Sequence, residues 1–162
     1  MNEEEKKRVF YELMNTYFMQ CDRFLIMKWS GQSCSPDEEI TQEQRKEAYL
    51  RFYKRTGKLK VASRPTIQKW FGIRGHAFPK REQILRLALE LGWTPDETRE
   101  YLQYGISEPD FQVNDYHEMI ALYCLQNSLP YGKYLDMTEY FETYSDWDVS
   151  IRQTTHTDSL FL

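Results

Sequence analysis

The stretch that most constrains the fold runs from Ser63 to Gly92, where a glycine-punctuated turn joins a short helix to a strongly amphipathic one. Ser63 can accept hydrogen bonds from the first free backbone N–H groups, and Pro65 lies where a helix needs no N–H. A helix is therefore predicted to begin here. Gly72 and Gly75 predict its end. This arrangement is typical of the second half of a helix-turn-helix unit.

The two faces of this short helix differ in chemistry. Ile67, Trp70 and Phe71 fall within one turn of each other and share a face that we expect to be buried. The opposite face carries Arg64, Thr66, Gln68 and Lys69. Such side chains suit DNA base edges and phosphates. Any exposed helix face is polar, however, so an ordinary solvated face is the alternative interpretation.

Charge is distributed unevenly along the chain. The whole sequence carries −4, but residues 45–86 hold 13 Lys and Arg against 2 Glu, a local charge of +11. Residues 87–162 hold 3 basic against 14 acidic side chains, a local charge of −11. A basic block interleaved with aromatic residues is typical of a phosphate-binding surface. The alternative is a basic face paired with the acidic half, although exposed ion pairs stabilise too little to require such segregation.

Apolar side chains at three-to-four spacing over residues 3–29 predict one long amphipathic helix, which forms either part of the core or a self-association seam. Residues 31–39 are expected to form a loop. Thr41 and Gln44 make a capping-box pattern that predicts the start of the next helix, and Gly57 predicts its end. The side chains expected on its buried side are Ala48, Leu50, Phe52 and Tyr53.

Two helical hairpins are predicted after the turn. The first pairs a Leu-rich helix within residues 79–92 with a helix opened by Thr94 and Pro95. The second comprises residues 115–128 and 131–143. The expected core is Ile67, Trp70, Ile84, Leu87, Leu91, Leu102, Ile120 and Leu125. The overall prediction is an all-α protein with an N-terminal helix (1–30), a helix-turn-helix domain (41–105), a C-terminal helical hairpin (106–145) and a flexible tail (146–162).

Motifs for catalysis, cofactor binding and metal binding are lacking in the sequence. His76, His117 and His156 have no ligand partner at helical spacing, and neither a P-loop nor a nucleophile elbow is present. We therefore expect no enzyme activity, no cofactor and no metal.

The cysteines and the apolar segments indicate a cytoplasmic protein. Cys21, Cys34 and Cys124 are odd in number and widely spaced, which favours reduced thiols over disulfides or a zinc cluster. No apolar run is long enough to cross a bilayer, and the acidic start is unlike a signal peptide. No membrane association is expected.

From about Arg45 to Glu142, the chain resembles the Xre-like (Cro and repressor type) helix-turn-helix proteins of bacteria. The resemblance is clearest over residues 64–102, RPTIQKWFGIRGHAFPKREQILRLALELGWTPDETREYL. The shared features are a Thr-Ile pair and an aromatic residue on the recognition helix, a turn ending in Pro, and a Leu-rich helix ending in Leu-Gly. The resemblance implies a DNA-binding transcriptional regulator, with Thr66 and Ile67 at the start of the recognition helix and Trp70 as its buried anchor. The segment from Gly57 to Thr66 is longer than is usual in that family.

The resemblance and the basic block together predict double-stranded DNA as the partner. The candidate DNA-binding residues are Arg64, Thr66, Gln68, Lys69, Arg74, His76, Lys58 and Lys60. Gln68 is expected to contact adenine, and Lys69 to contact phosphate. The alternative function is an α-helical protein interaction module, or the N-terminal piece of a larger signalling protein. A homodimer or a protein partner is then expected to use the N-terminal or C-terminal helices.

Overall fold

The computed structural model describes residues 1–13, 19–31 and 38–143, and all regular structure within these ranges is helical. The helices are α1 (Glu3–Leu13), α2 (Met19–Ser30), α3 (Gln42–Thr56), α4 (Arg64–Trp70), α5 (Arg81–Leu91), α6 (Pro95–Glu100), α7 (Tyr116–Gln126) and α8 (Tyr131–Thr143). A 3₁₀ turn at Gly57–Leu59 follows α3, and a π-helical turn at Tyr101–Gly105 follows α6. The predicted all-α fold is confirmed.

The contacts divide the chain into two compact units. Unit 1 comprises Met1–Ile84 and Glu100–Glu108, and unit 2 comprises Leu85–Arg99 and the residues from Pro109 onward. The division falls inside α5, whose first turn belongs to unit 1 and whose later turns belong to unit 2.

Aromatic packing between α2, α3 and α4 builds the core of unit 1. The ring of Phe52 lies 5.0 Å from that of Trp29 on α2 and 5.3 Å from that of Phe71, which follows α4. The side chains of Trp70 and Phe71 are 1% and 0% exposed, as their spacing with Ile67 predicts. The Trp29–Phe52 pair is edge-to-face, and pairs of this kind contribute about 0.5–1.5 kcal/mol beyond the burial of area.

One side of α3 differs from the prediction. Ala48 and Phe52 are buried as expected, but Leu50 is 49% exposed and Tyr53 is only half-buried. Tyr49 takes the buried position instead, because positions 45, 48, 49, 52 and 56 lie on one face of a 3.6-residue helix. Leu50 falls opposite that face.

Unit 2 packs the later turns of α5 against its own helices. Its buried apolar side chains are Leu85, Leu87, Ala88, Leu89, Trp93, Ile120, Ala121, Cys124 and Leu125. Among the predicted core residues, Leu91 is only half-buried, since it ends α5 directly before Gly92, where the chain turns at a φ of 70°. Burial raises the pKa of the Cys124 thiol, as expected for a reduced core cysteine.

Three predicted segments fall partly or wholly outside the described residues. The helix predicted over residues 3–29 corresponds to α1 and α2, and residues 14–18 between them are outside the described ranges. Residues 32–37 of the predicted loop are also outside the described ranges, and so is the predicted tail at 146–162.

Candidate nucleic-acid interface

Local hydrogen bonds fix the start of α3 and of α6 where the sequence predicts them. Thr41 Oγ1 accepts from Gln44 N at 3.2 Å, and Thr41 N donates to Gln44 Oε1 at 2.8 Å, which completes the capping box. Thr94 Oγ1 likewise accepts from Glu97 N at 3.1 Å. Caps of this kind stabilise a helix by about 1 kcal/mol.

Both ends of α4 are also closed by nearby residues. Ser63 Oγ accepts from Thr66 N at 3.3 Å and shares a 2.8 Å hydrogen bond with the Thr66 hydroxyl. At the other end Ile73 N donates to Gln68 O at 2.9 Å, and Gly72 adopts a φ of 72°. This is a Schellman motif, which requires a left-handed residue that glycine adopts without strain.

Arg64, the first residue of α4, is held on α3 by two tyrosines. Its Nε donates to the Tyr49 hydroxyl at 2.9 Å, and its guanidinium lies 5.3 Å from the centre of the Tyr53 ring. The two tyrosine rings stack at 5.6 Å. The hydrogen bond that Arg64 donates to Tyr49 raises the pKa of Arg64. Arg64 therefore joins α4 to the edge of α3.

A buried ion pair lies behind this surface. Arg45 Nη1 donates to Asp22 Oδ2 at 2.5 Å and to the carbonyl oxygen of Phe71 at 3.1 Å. His76 Nδ1 lies 4.0 Å from the same carboxylate oxygen. Burial raises the pKa of the Asp22 carboxyl, and the neighbouring charge of Arg45 offsets only part of that effect. One arginine thus connects α2, α3 and the end of α4.

Most of the basic block lies on the surface of unit 1. Ten of its 13 basic residues are exposed; Arg45 is buried, while Arg81 and Arg86 are half-buried. Arg51 pairs with Glu47 at 3.0 Å. The other nine exposed residues have no Asp or Glu of the described part of unit 1 within 4 Å, and they are Lys46, Lys54, Arg55, Lys58, Lys60, Arg64, Lys69, Arg74 and Lys80.

The predicted DNA-binding residues occupy different environments. Lys58, Lys60, Lys69 and Arg74 are exposed, and Lys60 and Arg74 lie at turns with φ values of 53° and 58°. Gln68 is half-buried.

The other three predicted residues are engaged with the protein itself. Thr66 is half-buried and its hydroxyl contacts Ser63, Arg64 binds the two tyrosines, and His76 lies beside the Asp22 carboxylate. Sequence reasoning missed the tyrosine anchor, although the spacing of Tyr49 and Tyr53 by one helical turn is a signal that could have indicated it.

Two further features are absent from the part of the chain that the structure describes. They contain no group of three or more His, Cys, Asp or Glu that could hold a metal ion. In the same residues, every helix is too short or too polar to cross a lipid bilayer.

Comparison of the chain with protein-family models, curated proteins and solved structures gives no match. The resemblance to the Xre-like family therefore stays a prediction.

Proposed function

We propose that unit 1 binds double-stranded DNA and that the protein is a helix-turn-helix transcriptional regulator. The observation that carries this proposal is the set of nine exposed cations between Lys46 and Lys80, which no described acidic side chain of unit 1 neutralises. Cations without a neighbouring carboxylate can displace counterions from a phosphate backbone, which drives DNA association.

The outward face of α3 supplies a row of contacts of suitable length. Lys46, Leu50 and Lys54 follow one another at intervals of one helical turn, opposite the buried face, and all three are exposed. Lys46 and Lys54 are separated by about 12 Å along the helix axis. That distance covers three to four phosphates of one DNA strand, which are spaced about 3.4 Å apart along the axis.

Arg64 supports a continuous surface from α3 to α4. Since Tyr49 and Tyr53 hold it at the edge of α3, the exposed residues of α4 begin next to the lysine row. The helix α4 has seven residues and is about 10 Å long, which suits entry into a major groove about 12 Å wide. In this proposal, α3 and the turn after it contact phosphates, and α4 contacts bases.

Net charge agrees with a division of roles between the units. Unit 1 carries 17 Lys and Arg against 13 Asp and Glu, or +4, whereas unit 2 carries 4 against 12, or −8. DNA binding is therefore assigned to unit 1, and unit 2 is expected to repel the backbone.

A matched pair of charge reversals tests the proposal. Lys54→Glu changes an exposed lysine of α3, and Lys133→Glu makes the same change on an exposed lysine of α8. Fluorescence anisotropy with random duplex at two salt concentrations is expected to show about tenfold weaker binding for Lys54→Glu, with a salt slope lower by about one. Lys133→Glu should bind as the parent protein does. Equal affinities for the two variants, or no binding by the parent at low salt, would contradict the proposal.

A further inference from the structure

A small polar cavity lies in unit 1, beside the turn that follows α4. Its volume is about 240 Å³, and the described residues that line it come from α2, from the start of α3 and from that turn. The polar side chains that matter here are Arg23, Gln42, Arg45 and His76. Sites for drug-sized ligands measure about 300–1,000 Å³, so a ligand of this cavity has to be small.

Arg45 offers two hydrogen-bond donors that the protein does not use. Its Nη1 binds Asp22 Oδ2 and Phe71 O, but Nε and Nη2 have no hydrogen-bond partner in the described part of the chain. Neither is among the fully enclosed polar atoms that lack a partner, so both are accessible to solvent. Because the side chain is only 4% exposed and lines the cavity, that access is from the cavity. Since buried polar groups are nearly always hydrogen-bonded, the cavity has to supply a partner for both atoms.

The geometry of these two donors determines the kind of partner. The N–H bonds of Nε and Nη2 lie on one edge of the planar guanidinium and are nearly parallel, so they suit two oxygens of one carboxylate or phosphate group. The guanidinium is also fixed in advance. Asp22 and Phe71 O hold Nη1, and Gly72 lies so close that a Cβ atom there would collide with the same nitrogen. A preorganised donor pair loses little entropy when a ligand binds.

The other polar side chains of the lining add donors around Arg45. Arg23 carries a second guanidinium, His76 an imidazole and Gln42 an amide. Among the described lining residues the one carboxylate belongs to Glu39, which is exposed. Two guanidinium charges against one carboxylate give +1, or +2 when the imidazole is protonated. The carboxylate that Arg45 already binds lowers each value by one when it is ionised. The donors, rather than a large net charge, therefore define the ligand.

We propose that this cavity binds a small organic anion through a carboxylate or phosphate group, with two of its oxygens on Nε and Nη2 of Arg45. Arg23 and His76 are placed to bind a further oxygen, and Ile40 adds an apolar side chain that can cover a short carbon segment. Binding of this anion requires no DNA, so it is independent of the DNA binding proposed for unit 1.

Substitutions at the edge of the cavity weaken the site and keep Arg45 in place. Gln42→Glu puts a carboxylate in the lining, and Gln42 is an exposed residue at the start of α3, where an acidic side chain is favourable. Gln103→Glu is its control, because Gln103 is exposed in unit 1 and does not line the cavity. Arg23→Gln removes a charge from the lining. Its control is Arg55→Gln, at an exposed residue about 20 Å from Gln42 along α3.

An NMR titration of the full chain follows the Nε–H signal of Arg45 directly. The probes are inorganic phosphate and propionate, each added at constant ionic strength against sodium chloride. A saturable shift of this signal is expected for at least one probe, with a Kd of about 1 mM or lower, and the tighter of the two identifies the group. Gln42→Glu and Arg23→Gln should each weaken binding at least about tenfold, whereas the two control variants should bind as the parent protein does. The same spectra show whether each variant is folded.

Three results would overturn the proposal. The first is an unchanged Arg45 signal at about 10 mM of either probe, where a site with a Kd of 1 mM would be about nine-tenths filled; water alone would then occupy the cavity. The second is an equal loss of binding from Gln103→Glu and Arg55→Gln. The third is a shift confined to the exposed lysines, which would show general attraction of anions to the basic surface. All titrations are carried out without DNA, so a protein that fails to bind DNA gives the same readings.

Discussion

Arg45 and Asp22 form a buried ion pair across α2 and α3, with Nη1 and Oδ2 separated by 2.5 Å and both side chains at most 4% exposed. The same guanidinium nitrogen donates to Phe71 O at the end of α4. Since α4 carries the proposed base-contacting residues, this pair, which holds the end of α4, is expected to influence DNA binding without reaching the surface itself.

Removing the Arg45 side chain from this pair should lower the free energy of unfolding. Arg45→Met is expected to destabilise the protein by about 3–5 kcal/mol at neutral pH, because it leaves the Asp22 carboxylate buried without its partner. The double variant Arg45→Met with Asp22→Asn should be more stable than Arg45→Met alone, since no buried charge remains. Urea denaturation measures both free energies of unfolding. Equal stability of the single and the double variant would contradict this account.

The raised pKa of Asp22 predicts the opposite pH dependence from that of an ordinary salt bridge. Burial is the larger influence, and Arg45, His76 and Arg23 lower the pKa only in part. A carboxyl with a raised folded-state pKa stabilises the fold most below its usual value of 3.8, and that stabilisation is lost as the pH rises through the folded pKa.

Asp22→Asn removes the titrating carboxyl but keeps an oxygen that can accept from Arg45 Nη1, so it should cost less than Arg45→Met at neutral pH. The free energy of unfolding of the parent protein relative to this variant is expected to increase as the pH falls toward 3.8, because the folded parent then takes up a proton. Unfolding free energies over this pH range provide the measurement. A parent protein that instead loses stability relative to the variant as the pH falls would show that the attraction to Arg45 exceeds the cost of burial.

The local features of this fold were predictable, and the long-range contacts were not. Thr41, Ser63 and Thr94 cap their helices as predicted, because a cap depends on residues only two or three positions away. Asp22 and Arg45 are 23 residues apart, and no local pattern marks one arginine of a basic block as buried. Counting charges therefore placed Arg45 in the basic surface, where it does not belong.

Trp70 should be a major contributor to the stability of unit 1. Trp70→Ala is expected to cost about 3–5 kcal/mol, as truncation of a buried aromatic side chain usually does. Its Nε1 is buried without a hydrogen-bond partner in the described part of the chain. Trp70→Phe keeps an aromatic ring and removes that donor, so it should cost less than Trp70→Ala. Thermal melting of the two variants, with exposed Leu50→Ala as control, tests this order.

Three glycines provide a graded test of backbone strain. Gly132 on α8 has open space around its Cα, so Gly132→Ala should stabilise the protein by about 0.5–1 kcal/mol. Gly92 is also uncrowded but has a φ of 70°, so Gly92→Ala should destabilise it by about 1 kcal/mol. At Gly72 the φ is 72°, and a Cβ atom would collide with the guanidinium of Arg45.

Gly72→Ala should therefore be the most destabilising of the three substitutions, because it adds a steric conflict with the buried ion pair to the backbone strain. Urea denaturation of the three variants measures the series. If Gly72→Ala and Gly92→Ala were equally destabilising, the ion pair would have to accommodate a methyl group, and its proposed role in fixing the end of α4 would be wrong.

The prediction for the recognition helix separates base contacts from phosphate contacts. Gln68 is half-buried at the C-terminal half of α4, and its amide can pair with adenine, whereas Lys69 is exposed. On a preferred site selected from random duplexes, Gln68→Ala should cost about 1–3 kcal/mol and leave random DNA unaffected. Lys69→Ala should weaken both alike and lower the salt slope by about one. Anisotropy titrations of both variants on the preferred and on the random duplex measure these four affinities.

Substitutions of Arg64 are expected to act differently from those of Gln68 and of Lys69. Its guanidinium is engaged by Tyr49 and Tyr53, so Arg64→Lys keeps the charge but loses the planar contact and the Nε hydrogen bond. Tyr49→Phe removes the same hydrogen bond without touching the charge. If Arg64 positions α4, both variants should weaken the preferred site more than random DNA. A normal preferred-site affinity for Tyr49→Phe together with a large loss for Arg64→Lys would instead make Arg64 a direct DNA contact.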